Sequence, residues 1–206
     1  MRIGLAVPQT EKGVATRARL VRAGREEALA TGGAVELARV AERAGVVPSL
    51  VARYFGGKAG LVTALVDEHF DRLHEDVLDA DLSAHGGWAR RERLRLDRGV
   101  RFHYAEPFAV VLYARLARDP EVAIAQAERV AAVVERAARN IRQGQRSGEL
   151  PGDVDADLAA AAMFGAMQGV LVEALGRTPP PPPEHVIDIL WRQVAASVQI
   201  DPAEVP

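Results

Sequence analysis

A chain of 206 residues, 49% hydrophobic and 26% charged, is long enough to bury a substantial core, as one large domain or as a small domain and a larger one. The absence of cysteine excludes disulfides, thiolate nucleophiles and cysteine-ligated metals. The formal net charge of −2 conceals an asymmetry, because residues 1–60 hold ten Lys and Arg against five Glu, a balance of +5 that leaves −7 for the remainder. A basic head on an acidic body is the distribution expected when the head meets a polyanion and the body does not, although most small basic segments are merely solvated.

The composition is that of an all-α protein: alanine, leucine, arginine and glutamate dominate, aromatics are 5%, and no stretch alternates with period two between turn residues. The first residues, MRIGLAVPQTEKG, carry no apolar stretch of signal-peptide length and read as a frayed start. Thr16 can cap a first helix running to about Ala30, stopped by Gly32-Gly33. A short second helix spans about Glu36 to Ala44 before Gly45, and Pro48 opens a third that reaches about Tyr54 before Gly56-Gly57. From Lys58 a longer helix places Leu61, Leu65, Val66, Phe70, Leu73 and Val77 on one side.

After a break at His85-Gly86-Gly87, helices are expected from Trp88 to about Ala105, from Pro107 to Asp119-Pro120, and on to about Ser147. Asp153 or Asp155 can cap an Ala-rich helix to Leu175, and five prolines, Pro179 to Pro183, act as a stiff spacer before a last helix over about Glu184 to Val198. The apolar run Leu158 to Val172, 15 residues interrupted by Gln168, reads as too short and too weak to span a bilayer. The expectation is a soluble, cytoplasmic protein with no membrane partner.

Residues 36–58, ELARVAERAGVVPSLVARYFGGK, are a short helix, a glycine turn and a second short helix, the helix-turn-helix arrangement. Ala41 is small where the helices cross, Gly45 supplies the turn, and Val40, Val46 and Val51 form a miniature core. Such a unit projects the leading side chains of its second helix into a major groove, while basic residues and backbone amides around it hold phosphates.

Val40-Ala41, Ala44-Gly45-Val46, Tyr54-Phe55 and Lys58 with Leu61, preceded by Thr16-Arg17, together resemble the TetR family of transcriptional repressors over roughly residues 16–75. The resemblance implies a DNA-binding domain at 12–60 and a helical effector-binding and dimerisation domain at 61–202. It places Pro48, Ser49 and Leu50 at the start of the recognition helix and Arg53 and Tyr54 at its end. It sets Lys58, one of only two lysines, beside a phosphate at a helix N-terminus, and gives Thr16 and Arg17 a phosphate contact. Three departures remove polar groups that the family usually has: Glu36 at the cap of the second helix, Val47 before the third, and Ala52 where a tyrosine normally bonds a phosphate. Of the groups left, Ser49 and Arg53 can hydrogen-bond a base edge, whereas Pro48 and Leu50 offer apolar contact.

The body carries no metal-ligand spacing among its five histidines, no glycine-rich phosphate loop and no Gly-x-Ser-x-Gly, so no catalytic residue, metal or cofactor is assigned. Aromatic and polar groups gather in two places, at Phe102, His103, Tyr104 and Phe108, and at Met163, Phe164, Met167 and Gln168. Each is by itself an ordinary core residue, but together they are the candidate lining of an effector pocket between helices. Small residues from Ala161 to Gly169 would let the last two helices pair with their copies in a homodimer. The function expected is a one-component regulator, a repressor released from a palindromic double-stranded operator by a small hydrophobic effector. The alternative is a helical small-molecule binding or sequestering protein with weak or lost operator binding.

Overall fold

The computed structural model describes residues 10–114 and 120–204, and among them the secondary structure is helical, without a strand. Asp119, read as part of a helix break, and the first nine residues of the frayed start lie outside the described residues. By contact the chain divides into two compact units, residues 1–70 with 107–126 and residues 71–106 with 127–206.

The first unit begins with α1, Glu11–Thr31. Its cap is Thr10, whose Oγ1 accepts from the Gly13 amide at 3.2 Å, and not Thr16. Thr16 lies a turn and a half inside the helix, and its hydroxyl donates to the Lys12 carbonyl at 2.8 Å. The N-terminal acceptor that satisfies a free amide is thus supplied six residues earlier than expected. Gly32 ends α1 at φ 63°, a left-handed conformation that lets the Gly33 amide reach back to the Ala28 carbonyl at 2.7 Å.

Next come α2, Leu37–Ala44, and α3, Pro48–Phe55, with Gly45 at φ 64° between them and the Val46 amide donating to Ala41 at 2.9 Å. α1 packs on α2 and α2 on α3, burying Leu20, Val40, Ala41, Val51 and Phe55. Arg43 reaches from α2 to the buried Glu27 of α1 at 2.7 Å, so one ion pair pins the two helices. α4, Lys58–Leu73, follows, and His74–Leu78 continue as a π-turn.

The contact division falls inside α4, later than the 60/61 boundary read from the sequence, because that helix runs unbroken from Lys58 to Leu73. The short helix α6, Pro107–Ala114, also counts with the first unit because it packs on α1. There the Arg25 guanidinium lies 5.0 Å over the Phe108 ring, and the Tyr113 hydroxyl is 3.4 Å from His69 Nε2. Burial raises the Tyr113 phenol above its ordinary range and lowers Arg25, the latter opposed by Glu68.

The second unit is built on α5, Trp88–Ala105, α8, Ala156–Leu175, and α9, Pro183–Ser197, with the later part of α7, Pro120–Arg146. Asp155 caps α8, accepting from the amides of Asp157 and Leu158. α9 packs on both α5 and α8 around Trp88, Leu96, Val100, Ile141, Leu171, Leu190 and Trp191. The apolar segment is longer as a helix than its uninterrupted run suggested. Ala156–Gly176, 21 residues, has the length and composition to cross a membrane, but here α8 packs along α9. The proline spacer is held from the side, since Tyr104 donates its hydroxyl to the Pro181 carbonyl at 2.7 Å.

Candidate nucleic-acid interface and ligand cavity

Within the first unit α3 presents the groups that the sequence singled out. Val51 and Phe55 turn inward, which leaves Pro48, Ser49 and Arg53 exposed and Leu50 and Tyr54 half-buried. That alternation follows from 3.6 residues per turn: the buried positions are four apart, so the leading and trailing residues between them face solvent. The Tyr54 ring centroid sits 6.4 Å from that of Phe55, a contact that packs one edge of the tyrosine. Val47, 63% exposed, precedes the helix without a side-chain acceptor for its first-turn amides, although its carbonyl accepts from the Leu50 amide at 3.0 Å.

Lys58 opens α4 directly after Gly56 and Gly57, whose φ values of 72° and 133° turn the chain sharply from one helix into the next. Arg17 joins the same surface through Phe55, its guanidinium 5.4 Å from the ring centroid. The sequence did not reveal that contact, which holds a solvent-facing cation in place over a core aromatic. Arg17, Arg53 and Lys58, with Lys12, Arg19 and Arg22, have no carboxylate partner among the described residues. Arg39 and Arg43, by contrast, are paired with Glu42 and Glu27. Arg17, Arg53 and Lys58 are therefore not neutralised by a carboxylate among the described residues.

The second unit contains a cavity of about 690 Å³ lined from α4, the π-turn, α5, α7, α8 and α9. Four of the eight residues expected at an effector pocket line it: His103, Met163, Phe164 and Met167. The other four do not. Phe108 is buried in the first unit, Tyr104 is engaged with Pro181, Phe102 packs edge-on to the His103 ring, and Gln168 lies half-buried on α8 outside the lining. The floor is completed by Leu96, Leu190 and Val194, from the inward faces of α5 and α9.

His103 is 1% exposed, and its Nδ1 lies 2.6 Å from the Gly99 carbonyl. A carbonyl only accepts, so Nδ1 carries the hydrogen and donates, and Nε2 is the acceptor nitrogen. Burial pushes the imidazole below its ordinary value of 6.5, against the opposing pull of the Gly99 hydrogen bond, and leaves it neutral at pH 7.

The polar lining was missed by the sequence reading. Glu92 accepts from Arg95 and from the Asn140 amide at 2.9 Å, and Arg136, Arg139, Arg142 and Arg146 of α7 follow at the rim. Their three- and four-residue spacing puts them on neighbouring turns, a signal that could be read as a solvated helix face.

Residues 108–199 match the family model described as the C-terminal domain of BetI-type transcriptional repressors. No curated protein sequence matches the chain. Among solved structures, the chain is similar to a TetR-family transcriptional regulator from Rhodococcus sp., with TM-score 0.73 and 22% identity over 89% of this chain and 99% of that one. It is similar to the transcriptional regulator FadR from Bacillus subtilis, solved with stearoyl-CoA, with TM-score 0.71 and 16% identity over 88% and 98%. It is also similar to NalD of Pseudomonas aeruginosa, the secondary repressor of the MexAB-OprM multidrug efflux pump, with TM-score 0.71 and 18% identity over 91% and 98%. The chain thus shares the all-α fold of these structures, with an N-terminal helix-turn-helix. The resemblance to the TetR family, first carried by residues 16–75, is borne out from the other end of the chain, where residues 108–199 carry the match.

Proposed function

We propose that the protein is a homodimeric, one-component transcriptional regulator acting as a repressor in the cytoplasm. Its first unit sets α3 in a major groove of double-stranded DNA, and a small molecule with an apolar body, bound in the second unit, releases it. The observation that carries the reading is that Arg17, Arg53 and Lys58, on or beside α3, have no carboxylate partner among the described residues, next to an exposed Ser49. In this role Arg53 and Ser49 face base edges, Pro48 and Leu50 supply apolar contact, and Tyr54 flanks them. Lys58, Arg17 and Thr16 contact phosphates, Lys58 with the added help of the α4 amides. Thr16 donates its hydroxyl hydrogen to the Lys12 carbonyl in the free chain, so contact with a phosphate, which only accepts, requires that hydroxyl to turn from Lys12 to the DNA.

Two copies are needed, because one short helix makes too few base contacts for specific affinity and a two-fold axis doubles them on a palindrome. Support for pairing through α8 and α9 comes from the exposed face of α8, where Leu158 is 69% exposed and a Cβ on Gly165 or Gly169 would meet nothing within 4 Å. Support for an effector comes from the cavity and from the stearoyl-CoA held by the similar FadR. α4 offers a covalent route between them: it opens at Lys58, and its last residue, Leu73, lines the cavity. Heads spaced by a helical turn of about 34–36 Å, or multiples of it, tolerate little change in separation, and linkage requires DNA to weaken effector binding by the same factor.

The test is an electrophoretic mobility shift with the DNA flanking the protein's own gene, over a salt series. A complex that weakens steeply with salt is the expected result. No complex even at low salt would overturn the reading in favour of a sequestering protein, which the exposed Val47 and Ala52 would then explain.

A further inference from the structure

We infer that the cavity of the second unit takes an amphipathic organic anion, an apolar body with a single carboxylate or phosphate head. The inference deepens the effector reading above and rests on that cavity being the effector site. Its argument is a gradient of exposure and charge across one lining. The floor is apolar and closed: Leu96, Met163, Phe164, Leu190 and Val194 are each no more than 9% exposed. The rim is cationic and open, with Arg136 and Arg142 each 40% exposed and Arg139 59% exposed.

Five arginines line the cavity against one carboxylate, Glu92, and that carboxylate is already engaged by Arg95 and Asn140. Arg136, Arg139 and Arg142 are paired with Asp79, Glu135 and Asp157, none of which lines the cavity. Such half-exposed pairs contribute little and exchange readily, so the guanidinium forks can turn to a ligand that brings its own anion. Arg146 has no carboxylate partner among the described residues. A cationic ligand would meet this rim with like charge, and a wholly apolar one would leave the arginines facing it unused. The volume, about 690 Å³, suits a molecule of drug-like size.

The test is calorimetric titration of the full chain, without DNA, using four probes that share one apolar tail and are kept below their micelle concentrations: dodecanoate, dodecyl phosphate, dodecan-1-ol and dodecyltrimethylammonium. At least one anion is expected to bind tenfold or more tighter than the alcohol, with the ammonium weakest, and the tighter anion identifies the head group. R142Q/R146Q should lower anion affinity about tenfold and leave the alcohol unchanged. Both side chains are at the rim, and circular dichroism verifies that the variant is folded. A second variant, M167W, fills the floor and should abolish all binding.

Alcohol binding as tight as either anion, tighter binding of the ammonium, no binding of either anion, or anion binding that survives M167W would each overturn the inference. Because DNA is absent, the outcomes separate. Anion preference in a protein that forms no DNA complex overturns the regulator and keeps the anion site, and a DNA complex without anion preference does the reverse.

Discussion

Gly60 offers the sharpest perturbation of the turn that joins α3 to Lys58. It is the third residue of α4, where helix propensity alone favours alanine by about 1 kcal/mol. A Cβ at this position would fall 1.8 Å from the Phe55 carbonyl oxygen and 2.9 Å from its carbon. Carbon and oxygen settle at roughly 3.3 Å or more, so one backbone segment must move by about 1.5 Å. The obstacle is backbone on both sides and cannot rotate away, which puts the overpacking cost near the upper end of its usual range, about 3 kcal/mol.

G60A should therefore lose about 2 kcal/mol net, a fall in Tm of roughly 4–8 °C for a chain of this size. The assay is thermal unfolding by far-UV circular dichroism, beside G99A as a control. A Cβ on Gly99 would meet only an ordinary contact, 3.7 Å from Val77, so G99A should hold or gain stability. The displaced turn also shifts Lys58 relative to α3, so DNA affinity should fall in G60A and not in G99A. A G60A protein as stable as its parent would refute the close approach of α4 to Phe55.

Two further outcomes are expected. His103 is held neutral by burial, so the unfolded chain takes up its proton near pH 6.5 while the folded chain does not; stability should decline as pH falls through that value, and H103Q should flatten the slope in urea titrations. Gly165 faces open space in the single chain, so G165L should leave the monomer folded yet shift the dimer equilibrium tenfold or more toward monomer by sedimentation equilibrium; an unchanged dimer would move the interface off α8.

The elements legible in the sequence are those whose ends are set by local chemistry. Gly32, Gly45 and Gly56 each stop a helix in a left-handed conformation, and Pro48 and Pro107 each open one, so those boundaries needed no tertiary information. The start of α1 was misplaced because two threonines compete there, and only the three-dimensional course of the chain shows that Thr10, not Thr16, accepts the free amide. The exposed residues of α3 follow from its period, whereas the seat of Arg17 over Phe55 depends on how α1 crosses α3.

At the cavity the apolar residues of α8 were legible as a cluster, and His103 with them. Phe108 was not separable from His103 in sequence, being five residues away, yet Pro107 turns it into α6 against α1. The arginines of α7 look like a solvated helix face until the packing of α5, α8 and α9 leaves a hollow beside them.

The central claim is that α3 and Lys58 together grip duplex DNA, and its most direct measurement is the salt dependence of binding to the flanking DNA for the parent and for K58Q. Each phosphate neutralised adds about 0.9 to the slope of log affinity against log salt, so removing one contact from each of two heads should reduce it by about 1.8. K58Q should thus bind more weakly at low salt and with a visibly shallower slope, while its circular dichroism is unchanged. A parent slope near zero, or a K58Q protein with the parent's slope and affinity, would contradict the account.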